Sequence, residues 1–195
     1  MRIIFATGNR NKLREAGEIL GSGYELVTPS DLGITEDIEE TGLTLRENSV
    51  IKADYLFERT GQNCFADDSG LEVDALGGAP GVHSARYAGP GHDFEANIDK
   101  LLDELSKLGP DAPRTARFRT VVTLIIDGEK HFFDGAVEGK IAYGRSGNGG
   151  FGYDPVFIPD DYPEVSMAEL TEEQKNAISH RGKALRAMAE WLRSR

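Results

Sequence analysis

The first twenty residues constrain the fold most, because an apolar run is followed directly by a helical pattern. Residues 2–6 form a short apolar run that predicts a buried strand. From Lys12 onward, Leu13, Ala16 and Leu20 recur at helical spacing. The segment between the two patterns, T-G-N-R-N-K, therefore joins the end of a strand to the start of a helix. In α/β proteins ligands bind at such turns, where backbone N–H groups and the helix dipole favour anions.

Two basic residues lie in this turn. Arg10 and Lys12 place positive charge at the start of the predicted helix, where the dipole opposes it. A plain turn capped by Asn or Thr is the alternative interpretation. We favour ligand binding for Lys12, because a basic residue that opposes the dipole calls for an anion nearby.

Two adjacent carboxylates form the central feature of the chain. Asp67 and Asp68 follow a predicted short strand, Cys64 to Ala66, and precede Ser69 and Gly70. Neighbouring carboxylates repel, which raises the pKa of one of them unless a cation or hydrogen-bond donors compensate. Mg²⁺ compensates well, since it takes one or two carboxylates together with substrate phosphates. The alternative is a surface turn, which Asp, Ser and Gly all favour.

Composition narrows the class of protein. A chain of 195 residues predicts one domain, residues 1–195, with a substantial core. A net charge of −11 argues against binding to polymeric nucleic acid or to an anionic membrane. The single cysteine, Cys64, excludes an internal disulfide and fits a reducing compartment. The apolar run at the N-terminus is too short for a signal peptide or a membrane span, so we expect a cytoplasmic protein.

The remaining chain predicts a mixed sheet with helices. Apolar residues from Arg114 to Ile126 predict a strand, Asp127-Gly128 a hairpin turn, and Lys130 to Glu138 the returning strand. This pair is antiparallel, so the sheet is predicted to be mixed. A further strand is predicted over Glu25 to Thr28. Helices are predicted over Thr44 to Arg59, over Asp93 to Leu108 and in the C-terminal part.

A glycine-rich loop, Gly144 to Asp154, satisfies G-x-G-x-x-G by chance. That fingerprint must open a helix, whereas an extended segment interrupted by proline is predicted to follow here. The loop carries Phe151 and Tyr153 beside Asp154, and an aromatic face near an acceptor carboxylate suits a nucleobase. The alternative, in which the aromatic rings fix the loop to the core, has equal weight for Phe151.

The C-terminal helices carry basic residues near their predicted caps. Thr171 and Gln174 predict a capping box. Lys175, His180 and Arg181 lie close to helix starts, where positive charge opposes the dipole and indicates a polar or anionic ligand. The four histidines lack zinc-ligand spacing.

These motifs together resemble the inosine triphosphate pyrophosphatase family. The resemblance rests on segments in the family's order along nearly the whole chain: T-G-N-R-N-K (7–12), E-E-T-G-L-T (39–44), E-N-S-V-I-K-A (47–53), A-D-D-S-G-L (66–71), G-G-A-P-G-V-H-S-A-R (77–86), G-G-F-G-Y-D-P-V-F (149–157), A-E-L (168–170) and K-N-A-I-S-H-R (175–181). Leu45 and Ser49 depart from the usual aromatic and alanine, at positions outside the site.

The resemblance implies hydrolysis of deaminated purine nucleoside triphosphates, namely ITP, dITP and XTP, to the monophosphate and pyrophosphate. Such an enzyme removes deaminated purines from the nucleotide pool. The resemblance also implies a divalent ion, usually Mg²⁺, and a homodimer. The implied fold is α/β, with an elongated mixed sheet flanked by helices and a cleft between two lobes.

Residue roles follow from the same resemblance. Asp68 is implied as general base and metal ligand, with Glu40 as a second metal ligand, and the role of Asp67 is open between ligand and electrostatic neighbour. Phosphate contacts are implied for Thr7, Gly8, Asn9, Arg10, Asn11, Lys12, Lys52 and Ser69. Contacts to the base and nearby groups are implied for Phe151, Gly152, Tyr153, Asp154, Lys175, His180 and Arg181.

Two alternatives remain at this level. One is a pyrophosphatase of the Maf type, which is thought to share the fold and acts on modified pyrimidine or other nucleotides. The other is a nucleotide-binding sensor without catalysis, although a pure binder has no need of Glu40, Asp67 and Asp68 together.

Overall fold

Six strands form one mixed sheet in a computed structural model that describes residues 1–195. The strands are β1 (Arg2–Phe5), β2 (Glu25–Val27), β3 (Cys64–Val73), β4 (Thr115–Ile126), β5 (Glu129–Ile141) and β6 (Phe157–Pro159). Their order in the sheet is β2-β1-β3-β4-β5-β6. β1 pairs in parallel with β2 and β3, whereas β6 pairs antiparallel with β5. The mixed α/β sheet predicted from the sequence is confirmed.

Five α-helices accompany the sheet: α1 (Arg10–Leu20), α2 (Leu45–Thr60), α3 (Phe94–Ser106), α4 (Glu172–Ile178) and α5 (His180–Arg193). Asp93 caps α3, and the capping box predicted for Thr171 and Gln174 is confirmed. The T-L-R-E segment predicts a capping box between Thr44 and Glu47; Thr44 does cap α2, but the Glu47 carboxylate accepts from the N–H of Leu43 and not from that of Thr44, so the reciprocal half of this prediction is wrong. None of the helices has the length and apolar character needed to cross a membrane.

The chain divides into two compact units, and β3, β4 and β5 contribute residues to both. The first unit comprises residues 1–68, 120–135 and 180–195, and the second comprises residues 69–119 and 136–179. A single catalytic domain over residues 1–195 stays a prediction.

Two apolar layers cover opposite faces of the sheet in the first unit. Ile3, Phe5 and Phe65 pack with the apolar sides of α1 and α5, while Ile4 and Cys64 pack with α2. Side chains alternate between the faces of a strand, so odd and even positions of β1 and β3 enter different layers.

The second unit has one core, built mainly from β3, α3 and β5. Leu71 of β3, Ile98 and Leu101 of α3 and Val137 of β5 are fully buried in it. Tyr153 and Phe157 complete the same core from the glycine-rich loop and β6.

Two local predictions differ from the structure. β3 continues through both carboxylates to Val73, so the strand end expected after Ala66 is wrong. Asp154–Val156 forms a short 3₁₀ helix before β6, where an extended segment was predicted, because Pro155 occupies its first turn and favours a helical φ. The hairpin at Asp127-Gly128 is confirmed: both residues have positive φ, 52° and 84°, as a two-residue hairpin requires.

Candidate active site

The two central carboxylates leave β3 on opposite faces of the sheet. Phe65 lies in the layer with α1 and α5, and Ala66 in the layer with α2. By strand alternation, Asp67 follows Phe65 and Asp68 follows Ala66. Their contacts agree with this, since Asp67 meets residues of α1 and α5, whereas Asp68 meets residues of α2.

Asp67 is the centre of a buried ion cluster. Its side chain is 2% exposed and accepts from Lys12 Nζ at 3.2 and 3.1 Å and from Arg181 Nε at 3.1 Å. Its backbone carbonyl accepts from Lys52 Nζ at 2.6 Å. Arg181 also bonds Glu15 Oε2 at 3.3 Å, so this guanidinium bridges α1 and β3.

The ion cluster fixes the ionisation of Asp67. Burial alone would raise the pKa of this carboxyl, but the charges of Lys12, Arg181 and Lys52 lower the pKa to about 2. Asp67 is therefore a permanent anion at neutral pH, and its oxygens are occupied by cations from the protein itself.

Asp68 differs from Asp67 both in its hydrogen-bond partners and in the direction of its pKa shift. Its Oδ1 lies 3.6 Å from Lys52 Nζ, and its Oδ2 is buried without a hydrogen-bond partner. Burial raises the pKa of Asp68 to about 6, with the charges of Glu40 and Asp67 adding to the rise and Lys52 and Asn48 opposing it. An unsatisfied buried carboxylate oxygen is costly, which is typical of a group that awaits a ligand.

Lys52 brings the two predicted metal ligands together. Its Nζ lies 2.7 Å from Glu40 Oε1 as well as 3.6 Å from Asp68 Oδ1. No group of three or more His, Cys, Asp or Glu residues is arranged to hold a metal ion. A pair of carboxylates nevertheless fits Mg²⁺, which keeps several waters and takes substrate phosphates as its other ligands.

The predicted phosphate loop is an exposed helix N-terminus. Asn9 caps α1, because its Oδ1 accepts from the N–H groups of Asn11 and Lys12 at 2.9 and 3.3 Å. Thr7 Oγ1 in turn accepts from the N–H of Asn9 at 3.0 Å. Gly8, Arg10 and Asn11 are exposed, and the first turn of α1 contains no acidic residue. An anion is therefore favoured here, as the sequence predicts.

His180 begins α5 beside the ion cluster. Burial, together with the charge of Arg181, lowers the pKa of its imidazole to about 4. The ring is therefore neutral at pH 7 and carries one N–H donor.

The second unit holds the remaining predicted residues in the glycine-rich loop and α4. Phe151 is 72% exposed, whereas Tyr153 is 5% exposed and donates its hydroxyl to the carbonyl of Ser84 at 2.6 Å. Asp154 Oδ2 accepts from the N–H of Phe151 at 2.8 Å and from Lys175 Nζ at 3.4 Å. Phe151 thus presents a ring, while Tyr153, Asp154 and Lys175 hold the loop, and Gly152 supplies a positive φ of 58°.

Ser69 and Gly70 continue β3 into the second unit. A Cβ on Gly70 would collide with the carbonyl oxygen of Gly81 and approach Ser84 Oγ to 3.1 Å. Ser84 Oγ also accepts from the N–H of Leu71 at 2.9 Å. Gly70 is therefore required for close contact between β3 and the G-V-H-S segment, which explains the glycine after D-D-S.

Sequence reasoning missed three supporting residues. Asn48, 2% exposed, hydrogen-bonds Asp68 and accepts from the N–H of Gly42 at 2.7 Å. Glu15 pairs with Arg181, and Arg145 joins the glycine-rich loop to α3. Asn48 lies in the quoted E-N-S-V segment and could have been found there as a polar residue on a buried helix face. No local signal identifies Glu15 or Arg145.

The fold is α/β, and the site groups buried carboxylates with lysine and arginine side chains, the combination expected of an enzyme that acts on phosphate groups. The sequence model of the Ham1 family matches residues 3–191. The chain belongs to the Ham1 family.

Curated relatives and solved structures agree with this assignment. The chain is 50% identical over 192 residues to a Christiangramia forsetii protein named dITP/XTP pyrophosphatase, covering 98% of this chain and 99% of that protein. A Bacillus subtilis protein of the same name is 47% identical, covering 97% and 96%. A HAM1 protein from Coxiella burnetii superimposes over 100% of both chains, with a TM-score of 0.93 and 38% identity. A Mycobacterium abscessus structure titled nucleoside-triphosphatase / dITP/XTP pyrophosphatase has a TM-score of 0.84 and 43% identity, covering 96% and 98%.

Proposed function

We propose that this protein hydrolyses dITP, ITP and XTP to the nucleoside monophosphate and pyrophosphate, and so removes deaminated purines from the nucleotide pool. The names of its relatives support the substrate class. One observation carries the mechanism: of two adjacent carboxylates, Asp67 is held by Lys12 and Arg181, which lower its pKa to about 2, whereas Asp68 has an unpaired buried oxygen and its pKa is raised to about 6. This division provides one fixed counter-ion and one group able to exchange a proton.

The phosphate end of the substrate is assigned to the first unit. Lys12 and Arg181 are held by Asp67, so they stand ready to balance the charge that develops on pyrophosphate as it leaves. The N-terminus of α1 adds backbone N–H groups from the exposed Gly8 to Asn11 segment.

Glu40 and Asp68 would hold Mg²⁺. The unpaired Oδ2 of Asp68 and the hard oxygen chemistry of both carboxylates fit this ion. When bound, Mg²⁺ would lower the pKa of a coordinated water and stabilise negative charge on phosphate oxygens.

Asp68 is proposed as the general base. With a pKa of about 6 it is ionised at neutral pH, yet basic enough to accept a proton from the attacking water. Lys52 lies beside Oδ1 and leaves Oδ2 free for that proton or for the metal. Because Lys52 also bonds Glu40 and the carbonyl of Asp67, it fixes three acidic positions relative to one another.

Base selection is proposed to rest on hydrogen-bond donors. A 6-keto purine presents an acceptor where adenine presents an amino donor, so ATP would leave each such donor unpaired at a cost of about 1–3 kcal/mol. We assign this role to His180, Arg181 and backbone N–H groups. His180 has one N–H in its neutral ring, and Arg181 bonds Asp67 and Glu15. Guanine shares the keto group, so its exclusion would depend on the 2-amino group.

We also propose Mg²⁺ as the activating ion and a homodimer, both implied by the family resemblance, and a cytoplasmic location, which is expected from the single cysteine and the short N-terminal apolar run. Size-exclusion chromatography with light scattering measures the oligomeric state directly.

The decisive experiment measures pyrophosphate release from ITP, XTP, GTP, ATP and dUTP with and without Mg²⁺. Wild type is compared with Asp68→Asn and with Asp134→Asn, which removes an exposed carboxylate of β5. We expect Mg²⁺-dependent release from ITP and XTP, weak release from GTP and ATP, loss in Asp68→Asn and full activity in Asp134→Asn.

Other outcomes redirect the assignment. Release from dUTP without release from ITP would indicate the pyrimidine branch, and comparable release from GTP and ITP would refute the proposed base selection. Turnover retained by Asp68→Asn would refute the general base. Nucleotide binding without any turnover would indicate a sensor.

A further inference from the structure

The glycine-rich loop is attached to the first turn of α3 by one arginine. Arg145 Nε bonds Glu95 Oε2 at 3.0 Å, and its Nη2 bonds the carbonyl of Glu95 at 3.1 Å and Asp99 Oδ1 at 2.7 Å. The planar guanidinium thus contacts both side-chain and backbone atoms of one helical turn, which restricts rotation as well as distance.

An aromatic contact lies beside this attachment. Phe94, the first residue of α3, meets Phe151 with ring centroids 4.5 Å apart and an interplanar angle of 65°. Phe94, Glu95, Arg145 and loop residues 146–152 line a cavity of about 510 Å³. The start of α3 is therefore one wall of the cavity to which the exposed ring of Phe151 belongs.

The other contacts of Phe151 fix its backbone. Asp154 accepts from the N–H of Phe151 and is itself bonded by Lys175. These bonds set where Cα lies but leave the side-chain torsions free, and a ring that is 72% exposed has few neighbours to restrict them. The edge-to-face contact with Phe94 is the interaction that selects a ring orientation.

We propose that Phe94 is a positioning residue, which holds the ring of Phe151 in the orientation needed to stack on the purine, with Arg145 keeping α3 in place. This inference rests on the proposed function, since it assumes that Phe151 contacts the base. Without Phe94, part of the binding free energy would be spent on ordering the ring.

The size of the effect follows from edge-to-face aromatic pairs. Loss of one such pair corresponds to a change of about two- to tenfold in an equilibrium constant. We therefore expect Phe94→Ala to raise the KM for ITP about two- to tenfold. The kcat should be unchanged, because the carboxylates and the phosphate loop belong to the first unit and Phe94 to the second.

The test is a double-substitution cycle in the full-length protein. KM and kcat for ITP are measured for wild type, Phe94→Ala, Phe151→Ala and the double variant. Inorganic tripolyphosphate, which has no base, is used as a competitor to report the phosphate end alone. Phe94→Tyr retains the ring as the conservative variant, and Leu108→Ala removes an exposed apolar side chain just beyond α3 as the control.

If Phe94 positions the ring of Phe151, the variants should show a specific pattern of KM values and inhibition constants. The KM for ITP rises in Phe94→Ala, the inhibition constant of tripolyphosphate is unchanged, and Phe94→Tyr and Leu108→Ala resemble wild type. In the Phe151→Ala background, the further change Phe94→Ala has no effect on KM. Arg145→Lys raises the KM in the same way, because one ammonium cannot replace the guanidinium contacts.

Each contrary result has a distinct meaning. Equal fold-changes from Phe94→Ala in both backgrounds, or a parallel loss of tripolyphosphate affinity, would make Phe94 merely structural and overturn the inference. A raised KM in Phe151→Ala with none in Phe94→Ala would overturn the inference alone. An unchanged KM in Phe151→Ala would refute base stacking by Phe151, and the inference with it.

Discussion

At the scale of single residues, Asp67 and Asp68 differ in which partners reach them. Lys12 and Arg181 close on Asp67 from α1 and α5, whereas Asp68 faces Lys52, Asn48 and one unfilled hydrogen-bond position. Three protein cations already bond the carboxylate oxygens and the backbone carbonyl of Asp67. This favours the role of electrostatic neighbour over that of metal ligand for Asp67.

This difference yields a prediction for Asp67→Asn. The neutral amide leaves Lys12 and Arg181 without their shared counter-ion, so we expect kcat/KM for ITP to fall ~10-fold or more. The free energy of unfolding should decrease by on the order of 3 kcal/mol, as for breaking a buried ion pair. The Mg²⁺ concentration for half-maximal activity should stay unchanged.

Glu40→Gln is the matched comparison. This substitution removes a proposed metal ligand, so the Mg²⁺ concentration for half-maximal activity should rise while Lys12 and Arg181 keep their counter-ion. An increased Mg²⁺ requirement in Asp67→Asn would instead make Asp67 a metal ligand.

At the scale of secondary-structure elements, the start of α1 owes its geometry to one cap. Asn9→Ala removes the acceptor for two backbone N–H groups, and we expect the free energy of unfolding to fall by about 1 kcal/mol. Asn9→Ser, which also caps, should retain most of the stability in urea unfolding. Asn11→Ala, an exposed neighbour in the same turn, should cost little. Equal losses in Asn9→Ala and Asn11→Ala would contradict the capping role.

The start of α2 depends on the absence of a side chain at Gly42. A Cβ there would meet Asn48 Oδ1 at 2.6 Å and Asn48 N at 2.8 Å. Because Asn48 hydrogen-bonds Asp68, Gly42→Ala should destabilise the protein by about 1–3 kcal/mol and reduce kcat. Gly23→Ala is the matched control, since nothing lies within 4 Å of its Cβ and its φ is not positive. Unchanged stability and kcat in Gly42→Ala would show that the contact relaxes without cost.

Helices and turns that depend on residues a few positions apart could be predicted from the sequence. Features that depend on contacts between distant residues could not. The capping box at Thr171, the helix after Asp93 and the hairpin at Asp127 each follow from residues a few positions apart. The extent of β3 does not, because D-D-S-G favours a turn until Lys12 and Arg181 from distant segments neutralise Asp67. For the same reason, no sequence pattern shows that Tyr153 is buried or that Phe94 contacts Phe151.

At the scale of the whole molecule, two buried groups make opposing contributions to stability. The pKa of His180 falls from 6.5 to about 4 on folding, so the unfolded chain takes up this proton first and acidification destabilises the fold. The pKa of Asp68 rises from 3.8 to about 6, so the folded protein takes up that proton first and acidification stabilises it. Between pH 6 and pH 4 the two effects partly cancel.

Single substitutions should separate these contributions in buffer without metal. From pH 8 to pH 5, we expect the His180 contribution to remove about 2 kcal/mol and the Asp68 contribution to add about 1 kcal/mol. The free energy of unfolding of Asp68→Asn should therefore fall more steeply with acidification than that of wild type, whereas that of His180→Gln should rise. Urea unfolding at both pH values measures this. Parallel pH profiles for all three proteins would refute the assignment.

The position of the two acids on one strand has a consequence for how the site can change. Their roles depend on whether a residue is odd or even along β3, so a single inserted residue before Asp67 would send Asp67 to α2 and Asp68 to α1 and α5. Asp67 would then occupy the place of Asp68 beside Lys52, while Asp68 would move to the place of Ser69, two positions beyond the residue that meets Lys12 and Arg181, so the ion cluster would lose its anion. Insertion of two residues would instead preserve both faces and move both acids along the strand. The site therefore depends on the odd or even position of each acid along β3 as much as on residue identity. Substitution scans cannot reveal this dependence, because they never alter the number of residues.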